Sequence, residues 1–116
     1  MKLIAVLATG FLITACDEAY ADGHGPLAAS NGMTLYTFDN DSANTSNCYD
    51  SCAVSWPPYL AQAGAAAPSA GMTVVQRRDG TSQWAKNGEP LYFWQGDSAP
   101  GDTTGDGVGG VWHVAR

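Results

Sequence analysis

Asn31-Gly32-Met33-Thr34-Leu35-Tyr36-Thr37-Phe38-Asp39-Asn40-Asp41-Ser42-Ala43 returns 56 residues later as Asn87-Gly88-Glu89-Pro90-Leu91-Tyr92-Phe93-Trp94-Gln95-Gly96-Asp97-Ser98-Ala99. The register runs on without a gap through Asp50 and Asp106 to Trp56 and Trp112. A repeat at fixed period separates architecture from function before any residue is given a role. Asn-Gly is the strongest short hairpin signal, and the residues after it are strand formers. Alternation along a strand puts Tyr36 and Phe38 on one face, and Leu35 and Thr37 on the other. Tyr92 and Trp94, against Leu91 and Phe93, repeat the arrangement. The expectation is a mirrored aromatic core around Trp56 and Trp112.

Outward from this stretch, Met72-Thr73-Val74-Val75-Gln76-Arg77 and Thr81-Ser82-Gln83-Trp84-Ala85-Lys86 read as strands joined at Asp79-Gly80. Val111-Trp112-His113-Val114 reads as a last short strand. Residues 59–71 are dominated by Ala, Gly and Pro and read as the linker between copies. The fold class is all-β: a small antiparallel meander or sandwich-like domain built from two pseudo-equivalent repeats, about 27–58 and 72–115. A short helical turn is expected at the cysteine loop. A single domain of residues 27–116 follows a polar tether at 16–26.

Residues 1–15 carry Lys2 and then an apolar run too short to span a bilayer, the pattern of a secretory signal. Two processing sites compete. Ile13-Thr14-Ala15-Cys16 is a bacterial lipobox, in which Cys16 is lipidated; Ala19-Tyr20-Ala21 is an A-x-A site that releases a soluble protein. The chain has three cysteines, and pairing Cys48 with Cys52 leaves Cys16 where a lipobox needs it. This favours a membrane anchor through Cys16, on the periplasmic face of the inner membrane in a Gram-negative cell. The formal charge of −6 argues against nucleic acid and against anionic lipid heads as partners. A protein or other envelope partner is left open.

Tyr36-x-Phe38-x-x-Asp41 and Tyr92-x-Trp94-x-x-Asp97 resemble the Y-x-[FWY]-x-x-D signature of the predicted bacterial lipoproteins known as the secreted repeat of unknown function. Cys48-x3-Cys52-Ala53-x-x-Trp56-Pro57-Pro58 and the 105–112 stretch ending in Val111-Trp112 resemble its flanks. The resemblance implies export, frequent lipidation and tandem copies. It implies no catalytic residue.

Asp41 and Asp97 close their strands, where an Asp accepts backbone N–H bonds without any ligand. The alternative is a hard cation. Asp39, Asp41 and Asn44 lie in one loop, and Asp97, Asp102 and Asp106 in the other, and Ca²⁺ takes six to eight oxygens. Asp102-x-Thr104-x-Asp106-Gly107 begins like an EF-hand, but His113 stands where its bidentate Glu belongs, which excludes that motif.

Cys48 and Cys52, about 13 Å apart in an extended chain, come to about 6 Å in one helical turn. A disulfide therefore requires a turn, with Asn47 as its N-cap. Oxidation is the default in an exported protein. The rival is a soft Cu(I) site formed by the two thiolates with His24, His113 or Met33. His113 is expected to be partly buried. No nucleophile–base grouping is present. The leading function is a non-enzymatic envelope binding or structural module; a copper or redox accessory protein, a Ca²⁺ module and an enzyme using the acidic loops are the rivals.

Overall fold

The structure is a computed structural model and describes residues 25–116. The leader, Cys16, His24 and most of the tether lie outside the described residues. Five strands and two short helical turns follow in order: β1 (Tyr36–Phe38), α1 (Ser51–Ser55), β2 (Met72–Gln76), β3 (Ser82–Lys86), β4 (Glu89–Pro90), a 3-10 turn (Val108–Gly110) and β5 (Trp112–Val114).

β1 pairs antiparallel with β5, Tyr36 opposite Val114 and Phe38 opposite Trp112. On its other edge, Tyr36 N–H donates to the Tyr92 carbonyl at 2.8 Å, and Tyr92 N–H to the Tyr36 carbonyl at 3.0 Å. This reciprocal pair marks a pseudo-twofold axis between the copies. Segments 91–94 and 56–59 then repeat the β1–β5 pairing: Gln95 N–H to Ser55 O (2.9 Å) matches Asp39 N–H to Val111 O (2.8 Å), and Tyr59 N–H to Leu91 O (2.9 Å) matches Ala115 N–H to Leu35 O (2.8 Å). The ladder order is 112–115, 35–38, 91–94, 56–59. Its two central segments come from different copies, so neither copy has a complete sheet of its own.

Each end of the ladder is tied by a ring of three backbone hydrogen bonds. Leu27 donates to Ala115, Ala115 to Leu35 and Leu35 to Leu27, at 2.7–2.9 Å. At the other end Trp84 donates to Tyr59, Tyr59 to Leu91 and Leu91 to Trp84, at 2.8–2.9 Å. Leu27 corresponds to Gln83 at an offset of 56, yet Trp84 takes its place. The chain before the second Asn-Gly is thus one residue out of register.

The ladder buries both faces. Leu35 and Leu91 pack with Ala29, Met72, Trp84 and Ala115 on one. Tyr36 and Tyr92 pack with Cys48, Trp56, Trp112 and Val114 on the other. β2, β3 and β4 form an antiparallel meander that closes the first face. The β3–β4 turn uses Asn87 (φ 52) and Gly88 (φ 85), the two left-handed residues that a tight hairpin needs.

Three expectations are corrected. Asn47 does not cap α1: the helix starts after Asp50, whose side chain makes no capping bond. Asn47 is instead held by Asp41 and the Asn40 carbonyl. The linker is shorter than 59–71, because Ala61 N–H also joins Ser82 O at 2.8 Å and Leu60 bridges Gln83. His113 is exposed rather than partly buried, because its side chain turns outward from the β5 edge to Asp39.

Candidate functional site

The Y-x-[FWY]-x-x-D spacing has a geometric reason. Tyr and the second aromatic share one strand face, and the chain then turns: Asp41 N–H meets Phe38 O at 3.0 Å, and Asp97 N–H meets Trp94 O at 3.1 Å. Each Asp therefore returns beneath the sheet. There it meets the tyrosine of the other copy. Tyr36 OH donates to Asp97 Oδ2 at 2.8 Å, and Tyr92 OH to Asp41 Oδ2 at 2.6 Å. The second oxygens cap loops: Asp41 Oδ1 accepts Asn47 N–H (2.7 Å), and Asp97 Oδ1 accepts the N–H and hydroxyl of Thr104 (3.0 and 2.6 Å).

The rings follow the same symmetry. Phe38 stacks on Trp112 (centroids 4.1 Å) and Trp112 on Trp56 (3.8 Å), while Trp94 lies against Trp56 at 4.2 Å, tilted by 31°. Tyr36 and Tyr92 meet Trp56 and Trp112 edge-on, as ring quadrupoles favour. The six motif residues Tyr36, Phe38, Asp41, Tyr92, Trp94 and Asp97 are thus one interlocked unit.

Burial pushes both tyrosine hydroxyls well above the usual range, and the hydrogen bonds to Asp97 and Asp41 push further the same way. Burial also raises Asp41, against the Tyr92 and Asn47 hydrogen bonds that favour its charge. Arg77 balances this carboxylate from a distance. Its guanidinium, 1 % exposed, donates to Ser46 Oγ (2.9 Å), Gln83 Oε1 (2.8 Å) and the Cys48 carbonyl (2.8 Å). Ser46 Oγ in turn lies 2.6 Å from Tyr92 OH. A buried polar chain thus runs Asp41–Tyr92–Ser46–Arg77–Gln83. The Tyr49 ring flanks both Arg77 and Arg78, at 4.3 and 4.0 Å.

Beside the first-copy motif a groove of about 280 Å³ opens between residues 38–43 and the 87–90 hairpin. Phe38, Asp39, Asp41 and Glu89 are among the residues that line it.

The model of the secreted repeat of unknown function matches residues 21–59 and 73–116. The chain belongs to that family. No curated protein and no solved structure matches it. The family description carries secretion, so this secreted-repeat domain is an exported module, and it leaves the activity unspecified.

The remaining acidic residues of the secreted-repeat domain are dispersed. Asp39 Oδ2 lies 2.9 Å from His113 Nε2. Asp102 accepts the N–H groups of Ser98 and Ala99, which hold its carboxyl below the usual range. Asp106 accepts Val114 N–H at 3.0 Å. Its counterpart Asp50 is exposed, and the residue matching Val114 at the offset of 56 is Pro58, which has no N–H to donate. Among the described residues, no three His, Cys, Asp or Glu side chains gather as a metal site. Cys48 and Cys52 are joined in a disulfide with Cα atoms 5.2 Å apart; the expected helical turn begins only at Ser51 and so holds Cys52 alone, and the non-helical Asp50 (φ 57, ψ −126) turns the chain between the two cysteines. Sequence reasoning missed Arg77, Ser46 and Gln83. The one available signal was an Arg ending the apolar strand before Asp-Gly, a place where a solvated charge is the ordinary expectation.

Proposed function

We propose that the chain is a lipid-anchored module of the cell envelope, attached through Cys16, that works by binding or scaffolding. The observation that carries the reading is the Cys48–Cys52 bond, which leaves Cys16 as the one cysteine of the chain outside that bridge, at a lipobox. The use of the polar motif residues supports it: Tyr36, Tyr92, Asp41 and Asp97 are committed to one another in the interior. A buried, mutually satisfied network stabilises and specifies a fold. That leaves the surface loops to do the work.

Intact mass of protein extracted from membranes tests the reading. A mature chain beginning at an acylated Cys16, and loss of membrane association in Cys16→Ser, are expected. A soluble mature chain beginning at Asp22 overturns the anchor.

A further inference from the structure

The two copies provide an internal control for the groove beside Phe38. The fold generates the same position twice, and the two differ in what seats on the Asn-Gly turn. In the second copy Pro100 seats on Gly32, so tightly that a Cβ on Gly32 would lie 2.9 Å from the Pro100 ring. In the first copy Asn44 occupies the Pro100 position. It adopts φ 56, and its N–H binds Gly88 O at 2.8 Å. Above Gly88 the neighbour within reach of a Cβ is the Asn44 Oδ1 atom, at 3.7 Å. The residue against the turn glycine therefore differs between the copies, a proline ring in one and an Asn side chain in the other.

The charges divide the same way. Asp39 and Glu89 line the groove, and their counterparts in the other copy are Gln95 and Met33. No Lys, Arg or His lines it. Asp39 does have His113 at its outer edge. Asp41 also lines the groove, half-buried, and hydrogen bonds through Tyr92 and Ser46 link it to the buried Arg77. Phe38 supplies an aromatic ring, half-buried and stacked on Trp112. Carboxylates and an aromatic ring lining one groove suit an organic cation, which gains from both ion pairing and the ring quadrupole. The volume lies below the range for drug-sized ligands, so the occupant is small.

We propose that the first-copy groove binds an aliphatic ammonium group, with Asp39 and Glu89 pairing the nitrogen and Phe38 covering the alkyl chain. This deepens the binding-module reading by giving it a ligand class, and it does not depend on the lipid anchor.

Titration of the full chain with cadaverine, followed by amide chemical shifts, tests it. Saturable shifts centred on Ser42, Gly88 and Glu89 are expected, and none with 1,5-pentanediol, the uncharged analogue. Glu89→Gln and Asp39→Asn should each weaken binding about threefold, the scale of a solvent-accessible ion pair. Ala43→Phe, which fills the groove, should abolish binding, and Ala99→Phe at the matching position of the other copy, which lacks the two carboxylates, should leave it unchanged. If Ala43→Phe does not fold, Glu89→Lys, which places a competing ammonium at the mouth, should abolish it instead. Comparison with N-acetyl-lysine amide separates the two sources of the chemistry: tighter cadaverine points to a free diamine, tighter lysine amide to a protein side chain. Equal shifts with the diol, the absence of saturable shifts, or displacement of cadaverine by tighter-binding Ca²⁺ overturns the proposal. Membrane anchoring is read from mass and amine binding from titration, so either can fail alone.

Discussion

Tyr92 and Asp41 belong to different copies of the repeat, 51 residues apart, and are joined by a 2.6 Å hydrogen bond from the phenol to Oδ2. The Tyr36–Asp97 bond is its mirror image at 2.8 Å. Every copy's motif is therefore completed by the other copy, and the unit that folds is the pair. The two bonds are not equal. Tyr92 OH also meets Ser46 and sits on the chain leading to Arg77, whereas Tyr36 OH accepts only the Gly105 N–H besides.

Tyr92→Phe should consequently cost more than Tyr36→Phe. Removing the Tyr92 hydroxyl strips a donor from a half-buried carboxylate and a partner from buried Ser46, at about 2–3 kcal/mol. Tyr36→Phe should cost about 1 kcal/mol. Urea denaturation of the two variants measures the order. A cycle with Asp41→Asn should show non-additivity, since both groups belong to one network.

Alkaline pH attacks the same bonds. Both phenols titrate above their unfolded value in the native state, chiefly because they are buried. The folded form therefore holds these two protons where the unfolded form, near pH 10, releases them. Their contribution is fully present below about pH 10 and is lost as pH rises through the folded values. Melting temperature should fall above about pH 10, and the late component of the 295 nm tyrosinate absorbance should rise together with unfolding. Tyr36→Phe and Tyr92→Phe should each remove half of that late component.

Arg77 is the residue on which the first-copy loop hangs. Its buried guanidinium holds Ser46, Cys48 and Gln83 at once, while its Nε has only Asp79, at 3.6 Å, nearby. Arg77→Met should destabilise by about 3–5 kcal/mol, since the partners are left buried without donors. Arg77→Lys should recover only part of this, because an ammonium lacks the planar fork. Carboxylate NMR should also show Asp41 titrating higher in Arg77→Met than in the parent chain, Arg77 being one of the groups that favour its charge.

Much of this was legible in the sequence, and the rest has physical reasons for having been hidden. The Asn-Gly hairpins, the two-faced strands and the turn demanded by a C-x3-C disulfide follow from local rules that act within a few residues. The exchange of tyrosines between copies does not. The motif writes Tyr and Asp within a single copy, and nothing in that spacing reveals that the pair is completed across the axis. Arg77 was hidden for the opposite reason: an Arg beside a second Arg and an Asp-Gly turn reads as a solvated strand end, and only the tertiary fold carries it under Ser46. The acidic loops read as a cation site because carboxylates and capping residues are the same residue type. Asp102 and Asp106 each turned out to serve backbone N–H groups.

Gly105 tests the ring stack. It is buried at an ordinary φ, so its lack of a side chain serves space rather than backbone freedom. A Cβ there would lie 2.8 Å from Trp94 Cγ and 2.9 Å from Trp56 Cη2. Gly105→Ala should push these rings apart and cost about 1–3 kcal/mol. The same shift strains the Gly105 N–H bond to Tyr36, 3.2 Å in the parent chain. Near-ultraviolet circular dichroism should lose intensity from the stacked tryptophans while the far-ultraviolet spectrum holds.

The disulfide makes a weaker demand on the fold than its place in the core suggests. Cys48 is fully buried, and its carbonyl holds Arg77. Yet the bridge closes a ring of only four residues' separation, worth about 2 kcal/mol in the chain-entropy account. The second copy supplies the test of necessity. At the matching positions it carries Thr104, which binds Asp97, and Val108, which packs against the aromatic cluster, and it folds without a bridge. The Cys48→Ser, Cys52→Ser double variant should therefore stay folded and lose about 2 kcal/mol, measured by urea denaturation. Amide exchange should rise in residues 46–55 and not in 102–112. Global unfolding of the variant at room temperature would show instead that the first copy's loop, with Arg77 bound to Cys48, nucleates both halves.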